Sequence, residues 1–249
     1  MGHSRCGAKG RLSMPRFVLT SQLGTKGTIT GEEAHHILRV HRHKLGDTIA
    51  VSFRETVFSA QIVGIADQAI ILELYAEAKD PEPPIKITLY QAILKGEKFD
   101  YALAKAVELG VYKIVPLSCE RGVVQLPPAK AGERVVRWQR LAMEAAKQCG
   151  RAIVPEVTLP LPLPLALSRD SSALKLVAYE KGGLRLREAL SVVRDLSCVV
   201  GPEGGLTEEE VRQAEDCGFI PITLGPRILR AETATLCLLS IIMYELGDL

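Results

Sequence analysis

Arg227, Arg230 and Glu232 stand close together on a chain segment opened by Gly225 and Pro226, and Gly201-Pro202-Glu203-Gly204-Gly205 punctuates an earlier segment in the same way. Each loop lies between a β-like apolar run and a helix-like run: Leu196 to Val200 precedes the first and Ile222 to Leu224 the second. In α/β sheets, ligands bind at loops that leave the carboxyl ends of parallel strands. The two loops together therefore read as a cofactor site. Their glycines allow close backbone approach, but neither Gly-x-Gly-x-x-Gly nor a Gly-Lys-Ser/Thr phosphate loop is present. Thr207 and Glu210 form a capping box, and Glu208, Glu209 and Glu210 fill the first turn of the next helix. Carboxylates at that position oppose a bound pyrophosphate, whereas an adenosyl ligand carrying a sulfonium cation is compatible with them. A plain capped turn accounts for one such loop; a second loop with paired arginines weighs against that reading.

The Gly201–Gly205 run and Leu224-Gly-Pro-Arg-Ile-Leu-Arg-Ala-Glu-Thr-Ala234 resemble the second and third cofactor loops of the SPOUT methyltransferases. Upstream, Gln91 to Asp100, Lys105 to Gly110, Ile114 to Ser118 and Glu144 to Arg151 extend the resemblance over nearly the whole chain from Pro15. The resemblance is to those members that make N3-methyluridine in 16S rRNA. It implies a trefoil-knotted α/β domain, S-adenosylmethionine as cofactor, a homodimer, and 16S rRNA within the assembled 30S subunit as partner. It also implies cofactor contacts, mainly through backbone, from Tyr179, Glu180, Val200, Gly201, Pro202, Gly204, Gly205, Leu224, Gly225, Pro226, Ile228 and Leu229. Methyl transfer from a sulfonium needs in-line positioning more than covalent catalysis. Uridine N3 must lose its proton to attack, and the spread negative charge suits a guanidinium fork. Arg227 and Arg230 fit that catalytic role, while Glu232 either accepts the proton or, the preferred reading, orients an arginine.

The net charge of +2 carries no argument for nucleic acid, but its distribution does. His35 to Lys44 holds four histidines and three Lys/Arg without an acid, and Arg134, Arg137 and Arg140 recur every third residue along a helical pattern. Such patches attract phosphate through counterion release. The RNA-contacting set expected is Arg16, Arg39, Arg42, Lys95, Arg121, Arg134, Arg137 and Arg140. His41 and His43 have metal-ligand spacing, yet arginine and lysine around them disfavour a divalent cation, so no metal is expected. Two other classes remain open. A non-catalytic RNA-binding module would explain the basic patches but not the third loop's arginines, and a nucleotide-dependent enzyme would need the phosphate loop that is missing. A methyltransferase acting on a different RNA also remains open.

These residues require a scaffold. Residues 1–14 are polar and read as a disordered extension. Residues 15–78 carry short β-branched runs such as Thr48 to Phe53 and Ala69 to Leu74, with one helix near Glu32 to Arg39, the pattern of a small RNA-binding β-barrel (PUA-like). Residues 79–84 break all periodicity and form a linker. Residues 85–249 alternate strand and helix, the mark of a parallel α/β domain covered on both faces, here the methyltransferase domain. Within it, helices are expected over Phe99 to Leu109, Glu133 to Cys149, Leu184 to Val193, Glu208 to Cys217 and Glu232 to Leu246, and Leu159 to Pro164 as a surface connection. The stripe Leu236, Leu239, Ile242, Met243 and Leu246 is expected to divide between core and dimer interface. Six cysteines without Cys-x-x-Cys spacing, no signal-peptide core and no membrane-length apolar run point to a reduced, cytoplasmic protein.

Overall fold

The computed structural model describes residues 16–53, 56–66, 69–77, 82–124 and 126–249. The expected extension 1–14 and residues 79–81 of the expected linker lie outside the described residues. The chain divides into two compact units, Met1–Pro81 with Lys147–Ala152, and Glu82–Ala146 with Ile153–Leu249.

The first unit contains β1 (Arg16–Val18), β2 (Ser21–Leu23), β3 (Lys26–Thr30), α1 (Gly31–His35), β4 (Thr48–Phe53), β5 (Thr56–Ala66) and β6 (Ala69–Glu77). They form one curled sheet in the order β1-β4-β5-β6-β3-β2, antiparallel except where β1 meets β4. Alternate residues point inward, so Ile49 and Val51 join Phe17, Ile29, Ile62 and Leu72 in one apolar core. The predicted helix differs from the observed one. After five α-helical residues the coil widens to a π-helical stretch, His36–Val40, in which His41 N–H donates to the His36 carbonyl at 3.1 Å. Beyond it, the His41 ring lies 5.1 Å from His36 and 6.2 Å from His43, edge-on to Phe17. Desolvation and the two neighbouring imidazoles hold the His41 pKa below its usual value.

The second unit contains β7 (Lys86–Ala92), α2 (Lys98–Glu108), β8 (Lys113–Ser118), α3 (Pro128–Cys149), β9 (Glu156–Val157), β10 (Leu161–Pro162), α4 (Leu163–Ser168), β11 (Leu174–Ala178), β12 (Leu184–Arg185), α5 (Leu186–Ala189), β13 (Asp195–Val200), α6 (Glu208–Asp216), β14 (Ile220–Thr223) and α7 (Ala231–Leu246). Its strands run in the order β10-β8-β7-β13-β11-β14-β12, with β9 beside β8, and every pair is parallel. Both faces are covered. Leu196, Cys198 and Val200 of β13 pack with Phe99, Trp138 and Leu239, whereas Val199 packs with Tyr90, Val211 and Phe219 on the other face. This is the α/β architecture expected from alternation.

Three local expectations change. Leu184 and Arg185 pair with β14, and Leu190 is already extended, so the helix expected over Leu184 to Val193 shrinks to four residues. Leu161 and Pro162 add a strand to β8 and Leu163 is buried at the start of α4, while Leu159, Pro162 and Pro164 stay exposed, so the surface connection carries a strand and one buried anchor. The long basic helix begins at Pro128, since a missing N–H costs nothing in a helix's first turn.

Among the described residues, Glu232 Oε2 is the one buried side-chain nitrogen or oxygen without a hydrogen-bond partner. On the α4–α6 face, Asp170 Oδ2 accepts from Tyr90 Oη at 3.0 Å and Ser197 Oγ at 2.5 Å. Burial and the Asp170 charge push the Tyr90 phenol above its ordinary pKa. Burial raises the Cys119 and Cys198 thiols to about 12. On the opposite face of β7, Thr235 of α7 sets its fully buried Oγ1 2.5 Å from Gln91 Oε1 and 2.9 Å from the Ala231 carbonyl. Thr235→Val keeps the shape but strips Gln91 of a donor, and a buried acceptor without a partner costs about 1–3 kcal/mol. Urea unfolding of Thr235→Val should show that loss, and Thr235→Ser should retain most of the stability. Equal stability of wild type and the valine variant would mean that the bond is energetically idle.

Candidate functional site

The parallel ladder determines where the site lies. β11 sits between β13 and β14, with Val177 opposite Val199 and Ala178 opposite Ile222. Their carboxyl ends consequently open on one edge, and the loops after Tyr179, Val200 and Leu224 meet there. Between them is a cavity of about 450 Å³, within the range of small-molecule sites.

Eleven of the twelve expected cofactor residues line this cavity: Tyr179, Glu180, Val200, Gly201, Pro202, Gly204, Gly205, Leu224, Gly225, Ile228 and Leu229. Pro226 is exposed and outside the lining. Two glycines have steric reasons to be there. A Cβ on Gly205, at φ +71, would meet Glu180 Oε1 at 2.4 Å. A Cβ on Gly225, at φ +111, would meet nothing within 4 Å, so that backbone faces open space.

Arg227 and Arg230 also line the cavity, exposed and without an ion pair among the described residues. Glu232 occupies the first turn of α7 and does not engage either arginine, contrary to the preferred expectation. Its Oε1 lies 4.0 Å from Lys98 Nζ, and its Oε2 is buried with no hydrogen-bond partner among the described residues. Lys98, at the start of α2, lines the cavity together with Glu203, whose Oε1 is 3.8 Å from the same ammonium. Neither Lys98 nor Glu203 was assigned from sequence. The signal was available, because Lys98 follows the carboxyl end of β7, where the same topological rule applies.

The carboxylates after Thr207 behave as the capping pattern predicts, with one addition. Thr207 Oγ1 accepts from Glu210 N at 3.1 Å, and Glu210 Oε2 accepts from Thr207 N at 2.8 Å. Glu210 Oε1 also accepts from Glu120 N at 2.8 Å, fastening the second loop to the segment after β8. Glu208 pairs with Lys181 at 3.0 Å, joining the first loop to α6.

The expected RNA contacts are more dispersed. Arg16 lies in β1, but its side chain is outside the described residues. Arg39, Arg42, Lys95, Arg121, Arg134, Arg137 and Arg140 are all exposed. Arg42 takes a left-handed backbone at φ 58, and Arg121 Nη1 donates to the Gly204 carbonyl at 3.4 Å. Arg137 is committed within the fold: Asp100 takes both its guanidinium and the Trp138 indole N–H. Arg140 faces Glu144 at 3.8 Å, one turn on, while Arg134 has no ion pair among the described residues. Among the described residues, no group of three or more His, Cys, Asp or Glu could hold a metal ion. No helix among them is long and apolar enough to cross a membrane.

Comparison with known proteins gives a consistent picture. Residues 81–243 match the RNA methyltransferase domain family, and residues 29–75 match the RNA methyltransferase PUA domain. The chain is 35% identical over 230 residues to ribosomal RNA small subunit methyltransferase E of Bacillus subtilis, covering 88% of this chain and 90% of that protein. It is 30% identical over 224 residues to the protein of that name from Buchnera aphidicola, covering 88% of each. The crystal structure of a ribosomal RNA small subunit methyltransferase E from Neisseria gonorrhoeae, bound to S-adenosyl methionine, superposes with a TM-score of 0.85 at 33% identity, covering 94% of this chain and 99% of that one.

The fastening of the second loop is directly testable. Glu210→Ala leaves one buried and one part-buried N–H group without their charged acceptor, so it should lower stability in urea by about 2 kcal/mol. A loss below about 0.5 kcal/mol would show that the carboxylate does not hold these segments together.

Proposed function

The chain belongs to the ribosomal RNA small subunit methyltransferase E family, and from that membership we propose that it methylates N3 of a uridine in 16S rRNA. S-adenosylmethionine serves as cofactor, and the assembled 30S particle in the cytoplasm is the substrate. The observation that carries the proposal is the cavity at the ends of β11, β13 and β14, lined by three loops and by two uncommitted arginines.

The cavity fits this cofactor. It is large enough for a nucleoside bearing an amino acid, and its Glu180 and Glu203 carboxylates favour a cation and disfavour phosphate. When bound, the cofactor supplies an activated methyl group on a sulfonium, which becomes a neutral thioether on transfer. The protein's own contribution is positioning and charge. Backbone of the Gly201–Gly205 and Gly225 segments packs against the ligand, excluding water and fixing its direction. The N3–H proton of the uracil would pass to solvent water, and N3 would take the methyl group that the cofactor supplies, with the sulfur leaving as the thioether. Arg230, with Arg227 beside it, stabilises the negative charge spread over N3 and the flanking carbonyls.

The trefoil threading and the homodimer belong to the same proposal. Support for the threading is the placement of β11 between β13 and β14, out of chain order. Of the apolar stripe on α7, Leu239, Ile242 and Met243 are consumed by the core, leaving Leu236 and Leu246 half-buried. Ile228, 83% exposed on the third loop, adds apolar surface for a second copy to cover.

The test combines binding and single-turnover methylation of 30S particles, with the product nucleoside identified by mass spectrometry. Gly225→Val should abolish S-adenosylmethionine binding by calorimetry at a temperature where thermal unfolding shows the variant still folded, although φ +111 strains the valine backbone and lowers the melting temperature. Unchanged affinity would reject this cavity as the cofactor site. Arg230→Ala should bind cofactor normally yet slow transfer at saturating substrates by about ten- to thousandfold. A rate within about twofold of wild type would remove Arg230 from the chemistry.

A further inference from the structure

Lys98 is not explained by the roles above. Its ammonium lines the cavity, 3.8 Å from Glu203 Oε1 and 4.0 Å from Glu232 Oε1. Both distances exceed a hydrogen bond, and Lys98 makes none among the described residues, so its three N–H donors are unspent. Glu203 is held in place from behind: Lys95 N–H donates to its Oε1 at 3.0 Å, while its Oε2 has no partner among the described residues. The wall thus presents a cation beside an anion held by a backbone N–H, each with free valence.

We infer that Lys98 and Glu203 form a subsite for the amino-acid end of the cofactor, with Lys98 receiving its carboxylate and Glu203 its ammonium. The inference rests on the cofactor reading above and names the part of that ligand which the glycine-rich backbone does not reach. An α-amino acid carries both charges on one carbon, so it can face a neighbouring ammonium and carboxylate simultaneously. Glu232 Oε1, 4.0 Å away, adds a second carboxylate beside the ammonium.

The alternative is an ion cluster that only ties α2 to the two loops. Two thioether ligands separate these roles: S-adenosylhomocysteine, which has the amino-acid end, and methylthioadenosine, which lacks it. Calorimetry on the full chain should give at least about tenfold tighter binding of S-adenosylhomocysteine to wild type, the scale of one charge-assisted hydrogen bond. Lys98→Met should weaken S-adenosylhomocysteine by about tenfold or more and leave methylthioadenosine within about twofold, whereas Lys98→Arg should keep the preference. Equal weakening of both ligands by Lys98→Met, or no weakening of either, overturns the subsite. Should the methionine variant not fold, equal affinity of wild type for the two ligands overturns it as well. Failure of wild type to bind either ligand is a different result and rejects the cofactor reading itself.

Discussion

The parallel hydrogen-bond ladder that puts β11 between β13 and β14 is the constraint on which everything else at the site depends. In a parallel sheet all strands end on the same edge, so neighbours in space deliver their following loops to one place regardless of their distance in sequence. Tyr179, Val200 and Leu224 are brought together in this way, and no loop could do so by itself. The buried strands provide a rigid base: Leu176, Cys198 and Ile222 lie within one apolar cluster. Side chains then fasten the loops above it. Glu210 fixes the second, Lys181 with Glu208 fixes the first, and Thr235 seats the helix that follows the third.

Charge is distributed unevenly on this base. The cavity is bounded by Glu180 and Glu203, while Arg227 and Arg230 stand exposed on the third loop without local partners. Carboxylates near a sulfonium and arginines near a developing anion have opposite tasks, and the loops keep them on separate segments. A carboxylate bound to either arginine would spend its charge before the substrate arrived. Glu232, adjacent in sequence, pairs with Lys98 instead, and both guanidinium groups remain available.

Much of this was legible in the sequence because glycine and proline mark loops whose backbone must approach something closely. The resemblance those loops carry to the SPOUT cofactor loops located eleven of the cavity's lining residues, and strand and helix periodicity indicated an α/β sheet covered on both faces. What remained hidden depends on contacts between distant parts of the chain. Lys98 meets Glu203 and Glu232 only through the sheet order, and nothing local distinguishes it from any surface lysine at a helix start. Arg137 shows the opposite error. Its spacing along α3 suggests a free basic face, but Asp100, from a separate helix, already balances it. The short β10 and β12 were missed because two residues carry no periodicity.

The order in which the walls are synthesised has its own consequence. β11 and β13 are made before β14, and the third loop, with Arg227 and Arg230, follows all of them. Until β14 arrives, β11 has an open edge and the cavity lacks one side. A growing chain therefore lacks both the cavity's third wall and the two arginines proposed for the chemistry while most of its sequence is already made. Under the proposed function, the cofactor site is complete only as synthesis of this domain finishes, later than the RNA-binding unit that precedes it.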